Sequence, residues 1–162
     1  MNMIKGHFYR GMSYTSMPNK VKQVFFKMLG NKIGRNVTVQ NSVRFDSENI
    51  EVSDGVVLNY GAQLITGGGS AKITIGENTQ IGPGTIICTI SHKMSDSNKR
   101  AGKRVYEDIA IGKGVWIGAN ATVISGINIA DGCVIGAGAL VNKSTEPNGL
   151  YVGVPAKRIR DL

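Results

Sequence analysis

Aliphatic side chains recur along most of this chain every six residues. The pattern is clearest in IGKGVWIGANATVISGINIADGCVIGAGALVNKS, residues 111–144, where Ile111, Ile117, Val123, Ile129, Ile135 and Val141 stand six apart. A helix would place its apolar residues at i, i+3, i+4 and i+7, and this stretch does not sustain that spacing. Six is a multiple of the strand period of two, so strand alternation survives inside each unit. Gly112, Gly118 and Gly136 directly follow their anchors, which marks a tight corner after each short strand. Four residues after each anchor come Val115, Ala121, Ile127, Cys133, Ala139 and Thr145, all small or β-branched, a second inward set with a size limit. Short parallel strands joined by corners and wound into a solenoid stack such positions along one axis.

The register continues upstream with interruptions. Anchors fall at Ile33, Val39 and Phe45, then after one extra residue at Val52, Leu58 and Leu64, then after five extra at Ile75, Ile81 and Ile87. With the six above, these make fifteen hexads. If three corners close one triangular turn, the solenoid has about five coils, and the breaks at TGGGSA and at 92–108 are loops thrown outward.

Residues 1–32 read differently from the solenoid domain, 33–162. In SMPNKVKQVFFKMLGN, Val21, Val24, Phe25, Met28 and Leu29 keep helical spacing; Ser16 is placed to cap, Pro18 falls in the first turn, and Gly30 suits the stop. The expectation is a short amphipathic helix that plugs the first coil, as a solenoid end requires. Its lysines leave membrane-surface binding as the alternative.

Composition narrows the class. A chain of 162 residues with 22 glycines and 6% aromatics suits one narrow solenoid interior. It has no apolar run near 18 residues and no signal-peptide pattern, so a reducing cytoplasmic setting is expected. Cys133 occupies an inward slot and Cys88 follows an anchor, which favours structural roles over a disulfide or a catalytic thiol. The net charge of +8 concentrates in KMSDSNKRAGKR, residues 93–104, and in KRIR, residues 157–160, with few aromatics between. Two compact clusters suit a nucleotide phosphate or an anionic substrate better than a nucleic-acid track.

The run IAIGKGVWIGANATVISGINIADGCVIGAGALVNKS followed by GVPAKRIR resembles the hexapeptide-repeat acyltransferases, within them the galactoside and maltose O-acetyltransferases and related capsular-polysaccharide acetyltransferases. The resemblance covers about residue 33 to the end and is strongest over 109–160. It implies an all-β solenoid, a left-handed parallel β-helix, a homotrimer, acetyl-CoA as donor and a sugar or polysaccharide precursor as acceptor, with no metal required.

In CTISHKMSD, His92 is one of two histidines and stands five residues after Ile87, where the solenoid breaks into a polar loop. A hydroxyl attacking a thioester must lose its proton, and an imidazole is the usual base near neutrality. His92 matches the family's catalytic histidine, whereas His7 matches nothing. Asp96, Glu107 and Asp108 are each candidates to orient it, and the spacing selects none. The resemblance places the oxyanion donor at a main-chain N–H near Ala119. Trp116 beside that corner lines the acetyl and acceptor pocket or, alternatively, packs at a trimer contact.

The family's sugar enzymes carry N-Y-N followed five residues later by Asp. This chain reads NYGAQLIT, keeping Asn59 and Tyr60 but placing Gly61 and Thr66 at the other two positions. That weakens galactosides and maltose as acceptors, though not acetyl transfer to some hydroxyl, and leaves Asn59 to orient an imidazole or a substrate hydroxyl. For CoA the resemblance points to Ala119, Ala137 and Asn142 along the pantetheine and to Lys143, Lys157 and Arg160 at the phosphates. Two alternatives stay open, an antibiotic O-acetyltransferase and a non-catalytic β-helix scaffold. A γ-type carbonic anhydrase needs three zinc-binding histidines, and two are present.

Overall fold

The structure, a computed structural model, describes residues 17–162; His7 and Ser16 lie outside the described residues. Each hexad contributes a strand of two or three residues and a corner, and successive strands fall in turn on three parallel faces. Face 1 holds β1 (Lys32–Ile33), β4 (Ile50–Val52), β7 (Ile73–Ile75), β12 (Ile109–Ile111) and β15 (Asn128–Ile129). Face 2 holds β2 (Thr38–Val39), β5 (Val57–Leu58), β8 (Gln80–Ile81), β13 (Trp116–Ile117), β16 (Val134–Ile135) and β18 (Gly149–Val152), with β19 (Lys157–Asp161) antiparallel at its end. Face 3 holds β3 (Arg44–Phe45), β6 (Gln63–Ile65), β9 (Ile86–Cys88), β14 (Thr122–Val123) and β17 (Leu140–Val141). The architecture is a left-handed parallel β-helix of five coils.

Register explains the period of six. Along face 1, Ile33 pairs with Val52, Val52 with Ile75, Ile75 with Ile111 and Ile111 with Ile129, so anchor stacks on anchor. All fifteen anchors are buried, each stabilising the fold by about 1.5–3 kcal/mol. The second inward set is buried too, and Cys133 within it bonds Thr145 Oγ1 and the Glu146 carbonyl. Thr79 and Thr85 fill equivalent slots in the third coil, where the Thr85 hydroxyl donates to the Gly82 carbonyl at 2.9 Å and the Gly118 carbonyl at 3.2 Å.

Helix α1 (Asn19–Met28) does cap the first coil, but with a different face from the apolar stripe. Phe26 is buried and stacks on Phe45, ring centroids 4.2 Å apart. Beside it Lys22 Nζ donates to Asn41 Oδ1 at 2.5 Å and to the Val39 carbonyl, Gln23 donates to the Val37 carbonyl, and Asn19 both donates to Val37 O and accepts from Val39 N. Val21, Val24 and Met28 are exposed, and of the stripe Leu29 packs on the core. The reason is hydrogen bonding. The first coil has no coil beneath it, so its backbone groups need polar partners that an aliphatic stripe cannot supply. Pro18 is the N-cap residue rather than a first-turn one, and no side chain caps the helix.

Every interruption of the period falls on the edge where face 3 turns back to face 1. The segment 92–108, expected as a loop, belongs to an antiparallel hairpin of β10 (Ile90–Met94) and β11 (Ala101–Tyr106). TGGGSA does not swing free either. Thr66 is buried against Ser47, Asp46 accepts the Thr66 and Gly67 N–H groups at 2.8 Å each, and Asn49 donates to the Gly69 carbonyl. The hairpin root sits on this seat. A Cβ on Gly69 would lie 2.5 Å from the Tyr106 ring, so the glycine makes the room that the ring fills.

At the far end Arg158 ties the last strand down. Its guanidinium donates to Asp161 Oδ1, to the Glu146 and Pro147 carbonyls and to the Tyr151 hydroxyl, which protects the end of face 2.

Candidate active site

His92 stands on β10, exposed, beyond the root of the hairpin. Its Nδ1 lies 2.8 Å from the Gly102 carbonyl oxygen on the facing strand. A carbonyl only accepts, so Nδ1 carries a hydrogen, and in the neutral imidazole the lone pair is then on Nε2. Gly102 also permits the strands to approach at the register shift after His92, since a Cβ there would meet the Lys93 carbonyl oxygen at 2.9 Å.

The carboxylates considered for orienting His92 are engaged elsewhere. Asp96 accepts the Asn98 and Lys99 amides in the hairpin turn, Asp108 accepts the Lys72 amide at 2.8 Å, and Glu107 accepts from Ser125 Oγ. A main-chain carbonyl does the work instead, and no residue type announces that in advance.

A second group of candidates lies along the edge between faces 2 and 3. The corners Gly82–Pro83, Gly118–Ala119 and Gly136–Ala137 stack there. Glycine is needed at Gly82 because a Cβ would sit 2.7 Å from Ala119 N. The Ala119 carbonyl accepts the Gly138 N–H at 2.8 Å, while the Ala119 N–H has no acceptor among the described residues. An unpaired amide on a tight corner can donate to a developing oxyanion. Asn59 occupies the same edge two coils lower, and its Nδ2 donates to the Ile81 carbonyl at 3.1 Å. That bond commits Asn59 to the backbone of the next coil and places it away from His92.

Trp116 projects outward from face 2, 58% exposed. The register runs Trp116 to Val134, Val134 to Leu150 and Leu150 to Arg160, so Arg160 lies three strand spacings from Trp116, about 14 Å. Lys157 pairs with Val152 at the same end, and both cations are exposed.

Asn142 and Lys143 do not join this group. Val141 ends face 3, so the next corner is the edge that carries the hairpin, and these two residues share that edge with His92. The candidates thus divide into two sets on different edges of one chain: His92, Asn142 and Lys143 on one, and Asn59, Trp116, Ala119, Ala137, Lys157 and Arg160 on or beside the other. Among the described residues, no group of three or more His, Cys, Asp or Glu side chains is placed to hold a metal ion, and no helix is long and apolar enough to cross a membrane.

Residues 108–143 match the family model described as bacterial transferase hexapeptide (six repeats). A protein of Saccharomyces cerevisiae named "Putative acetyltransferase" is 31% identical over 160 residues, spanning 98% of this chain and 79% of that one. The chain belongs to the hexapeptide-repeat acyltransferases. This acyltransferase is also 29% identical to the galactoside O-acetyltransferase of Escherichia coli, over 91% of its own length and 72% of that relative's. Its fold superposes with a TM-score of 0.86 on a hexapeptide-repeat acetyltransferase of Vibrio cholerae complexed with acetyl coenzyme A, at 26% identity over 98% of this chain and 86% of that one.

Three features of the site escape inspection of the acyltransferase sequence alone. Gly102 is separated from His92 by ten residues and meets it only across the hairpin. Tyr106 and Gly69 form the seat of that hairpin, and Arg104 faces His92 in register. Counting outward from a turn centred between Ser97 and Asn98 pairs Met94 with Ala101 but would pair His92 with Lys103; the register shift between His92 and Met94 puts Arg104 opposite His92 instead.

Proposed function

We propose that this protein is an acetyl-CoA-dependent O-acetyltransferase acting on a hydroxyl of a sugar or polysaccharide precursor, with His92 as general base. The observation that carries the reading is the Nδ1 bond of His92 to the Gly102 carbonyl, which fixes the ring so that the neutral form of the imidazole presents Nε2 as its acceptor. Nε2 takes the acceptor's hydroxyl proton as that oxygen bonds to the thioester carbonyl carbon. The Ala119 N–H donates to the carbonyl oxygen as charge develops there, and the departing CoA sulfur recovers the proton from His92.

The donor fits the edge between faces 2 and 3. Ala119 and Ala137 stand one above the other with short side chains, and Lys157 and Arg160 at its far end are exposed cations without an ion-pair partner among the described residues, suited to phosphates. Acetyl-CoA supplies the activated acetyl group; the chain supplies the base, the amide donor and the anchoring charges. Asn59 and Trp116 line the acceptor side of the same edge.

The two sets of candidates lie on different edges, so a complete site draws on two copies of the chain. We read the active form as a homotrimer in which one copy's hairpin edge, with His92, Asn142 and Lys143, meets the next copy's Trp116 and Ala119. Closed threefold symmetry makes three equal grooves.

His92→Ala should lower turnover by about 10² to 10⁴ while the acetyl-CoA KM changes little, because the lost interaction belongs to the transition state. Turnover within tenfold of the parent would remove His92 from the role. Inactive His92→Ala and Trp116→Ala chains, unfolded and refolded together, should recover part of the activity; mixed trimers without recovery would sink the shared site.

A further inference from the structure

The hairpin brings a second functional group beside His92. In an antiparallel pair, directly opposed residues place their side chains on one side of the ribbon with Cβ atoms about 5 Å apart. His92 is opposed to Arg104 and Ile90 to Tyr106, while Ser91 is opposed to Val105. Side chains alternate along each strand, so Ile90, Tyr106, His92 and Arg104 share one side. The first pair is rooted on the Gly67–Gly69 seat, and His92 with Arg104 form the next rung outward.

Arg104 is exposed and has no hydrogen bond or ion pair among the described residues. Arg35 and Arg158 show the contrast, since each is paired with an aspartate. Between residues 93 and 104 stand Lys93, Lys99, Arg100, Lys103 and Arg104 against the single carboxylate Asp96, which is engaged by turn amides. The carboxylates at the hairpin root, Glu107 and Asp108, bond Ser125 and the Lys72 amide. The Arg104 side chain therefore starts from the same rung as His92, and among the described residues its own hairpin supplies no counter-charge. Its planar fork of donors matches a carboxylate or a phosphate in two parallel hydrogen bonds.

We propose that the acceptor is anionic, carrying a carboxylate or phosphate close to the hydroxyl that is acetylated, and that Arg104 binds this group and so selects which hydroxyl meets His92 Nε2. The proposal rests on the reading of His92 as base and adds the substrate class. Arg104 acts as a specificity-determining residue, and the chemistry of transfer is unchanged.

The test uses the full chain with acetyl-CoA and matched acceptors: a neutral hexose, the corresponding uronic acid and the hexose 1-phosphate. At low salt one of the anionic sugars should exceed the neutral parent at least tenfold in kcat/KM, and which one it is separates a carboxylate from a phosphate. Arg104→Gln should remove that preference through the acceptor KM while the acetyl-CoA KM stays within twofold. Arg104→Lys should retain an intermediate preference, keeping charge but losing the fork. Lys99→Gln makes the same charge change at the turn and should leave the preference intact. Equal losses in Arg104→Gln and Lys99→Gln, a raised acetyl-CoA KM in place of the acceptor KM, or preference for the neutral sugar would overturn the proposal.

A binding readout keeps the proposal separate from the catalytic reading. The His92 ring resonance, identified by its absence in His92→Ala, should shift on adding uronate or sugar phosphate to the parent and not to Arg104→Gln. No shift, or the same shift in both, overturns the anionic acceptor. Turnover retained by His92→Ala would overturn the base alone.

Discussion

The two working edges of the β-helix are built from the same hexad and do opposite things with it. Between faces 2 and 3 every corner is short. Gly82, Gly118 and Gly136 let one coil's backbone press on the next, and a left-handed residue, Gly84, Asn120 or Gly138, completes each turn. Between faces 3 and 1 the repeat is broken three times, by 46–49, by TGGGSA and by the hairpin, and each insertion packs on the one before. The close-packed edge offers a main-chain donor, the Ala119 N–H, that has no acceptor among the described residues. The interrupted edge offers side chains that the repeat could not otherwise carry, His92 and Arg104 among them. The lesson is that stacking fixes the platform, and departures from stacking place the side chains to which the proposed function assigns the proton chemistry.

Substitutions on the two edges should therefore separate stability from activity. Gly82→Ala puts a Cβ 2.7 Å from Ala119 N, the Gly118 carbonyl carbon and the Ile117 carbonyl oxygen, none of which can move without shifting a coil. Its expected cost is about 3 kcal/mol, measured by chemical denaturation; an unchanged midpoint would mean that the coils are not in close contact there. Gly69→Ala on the other edge pushes the Tyr106 ring and displaces the hairpin, so turnover should fall roughly 10- to 100-fold with a smaller loss of stability. Tyr106→Leu in the same chain should restore part of the activity, because the smaller side chain relieves the seat; no restoration would show that Gly69 acts by another route.

Smaller effects sharpen the same contrast. Thr85→Val removes the hydroxyl that ties the Gly82 and Gly118 carbonyls together at the close-packed edge, at an expected cost of about 1 kcal/mol with kcat preserved. Acid should act least and away from both edges. The Arg35 amide and guanidinium hold the Asp54 carboxyl below the usual carboxylate range, and the hydrogen bond from Lys32, with the charges of Lys32 and Lys72, does the same for Glu51. Depressed carboxyls contribute stability that is present above their unfolded pKa, near 4, and lost as pH falls through the folded values. The thermal midpoint should decline slightly from about pH 5 to pH 3, and Asp54→Asn should flatten the decline. These carboxyls are partly exposed, so the slope should be shallow.

The core was legible residue by residue. Each of the fifteen anchors is buried because a period of six combines strand alternation with a fixed corner, and both are local properties of the chain. The position of the breaks was legible as well: extra residues follow Phe45, Leu64 and Ile87, each the third anchor of its coil, which sends all of them to one edge. Helix α1 was not legible in the same way. Its apolar stripe announced Val21, Val24 and Met28 as the buried face, yet Asn19, Lys22, Gln23 and Phe26 face the solenoid, because the open rim of the first coil requires hydrogen-bond partners.

At the site, the polar break after Ile87 and the family resemblance pointed to His92, and the resemblance to Ala119, while the tertiary structure supplied the hydrogen-bonding surroundings of each. Period and residue type determine which side chains are buried and where the coil is interrupted, since those follow from neighbours a few positions away. The tautomer of His92, the free amide of Ala119, the seat under Tyr106 and the rung shared with Arg104 arise from partners across a hairpin or from the coil above. Hydrogen bonds have direction and need a partner at a fixed distance, so they exist only once distant segments have been brought into register.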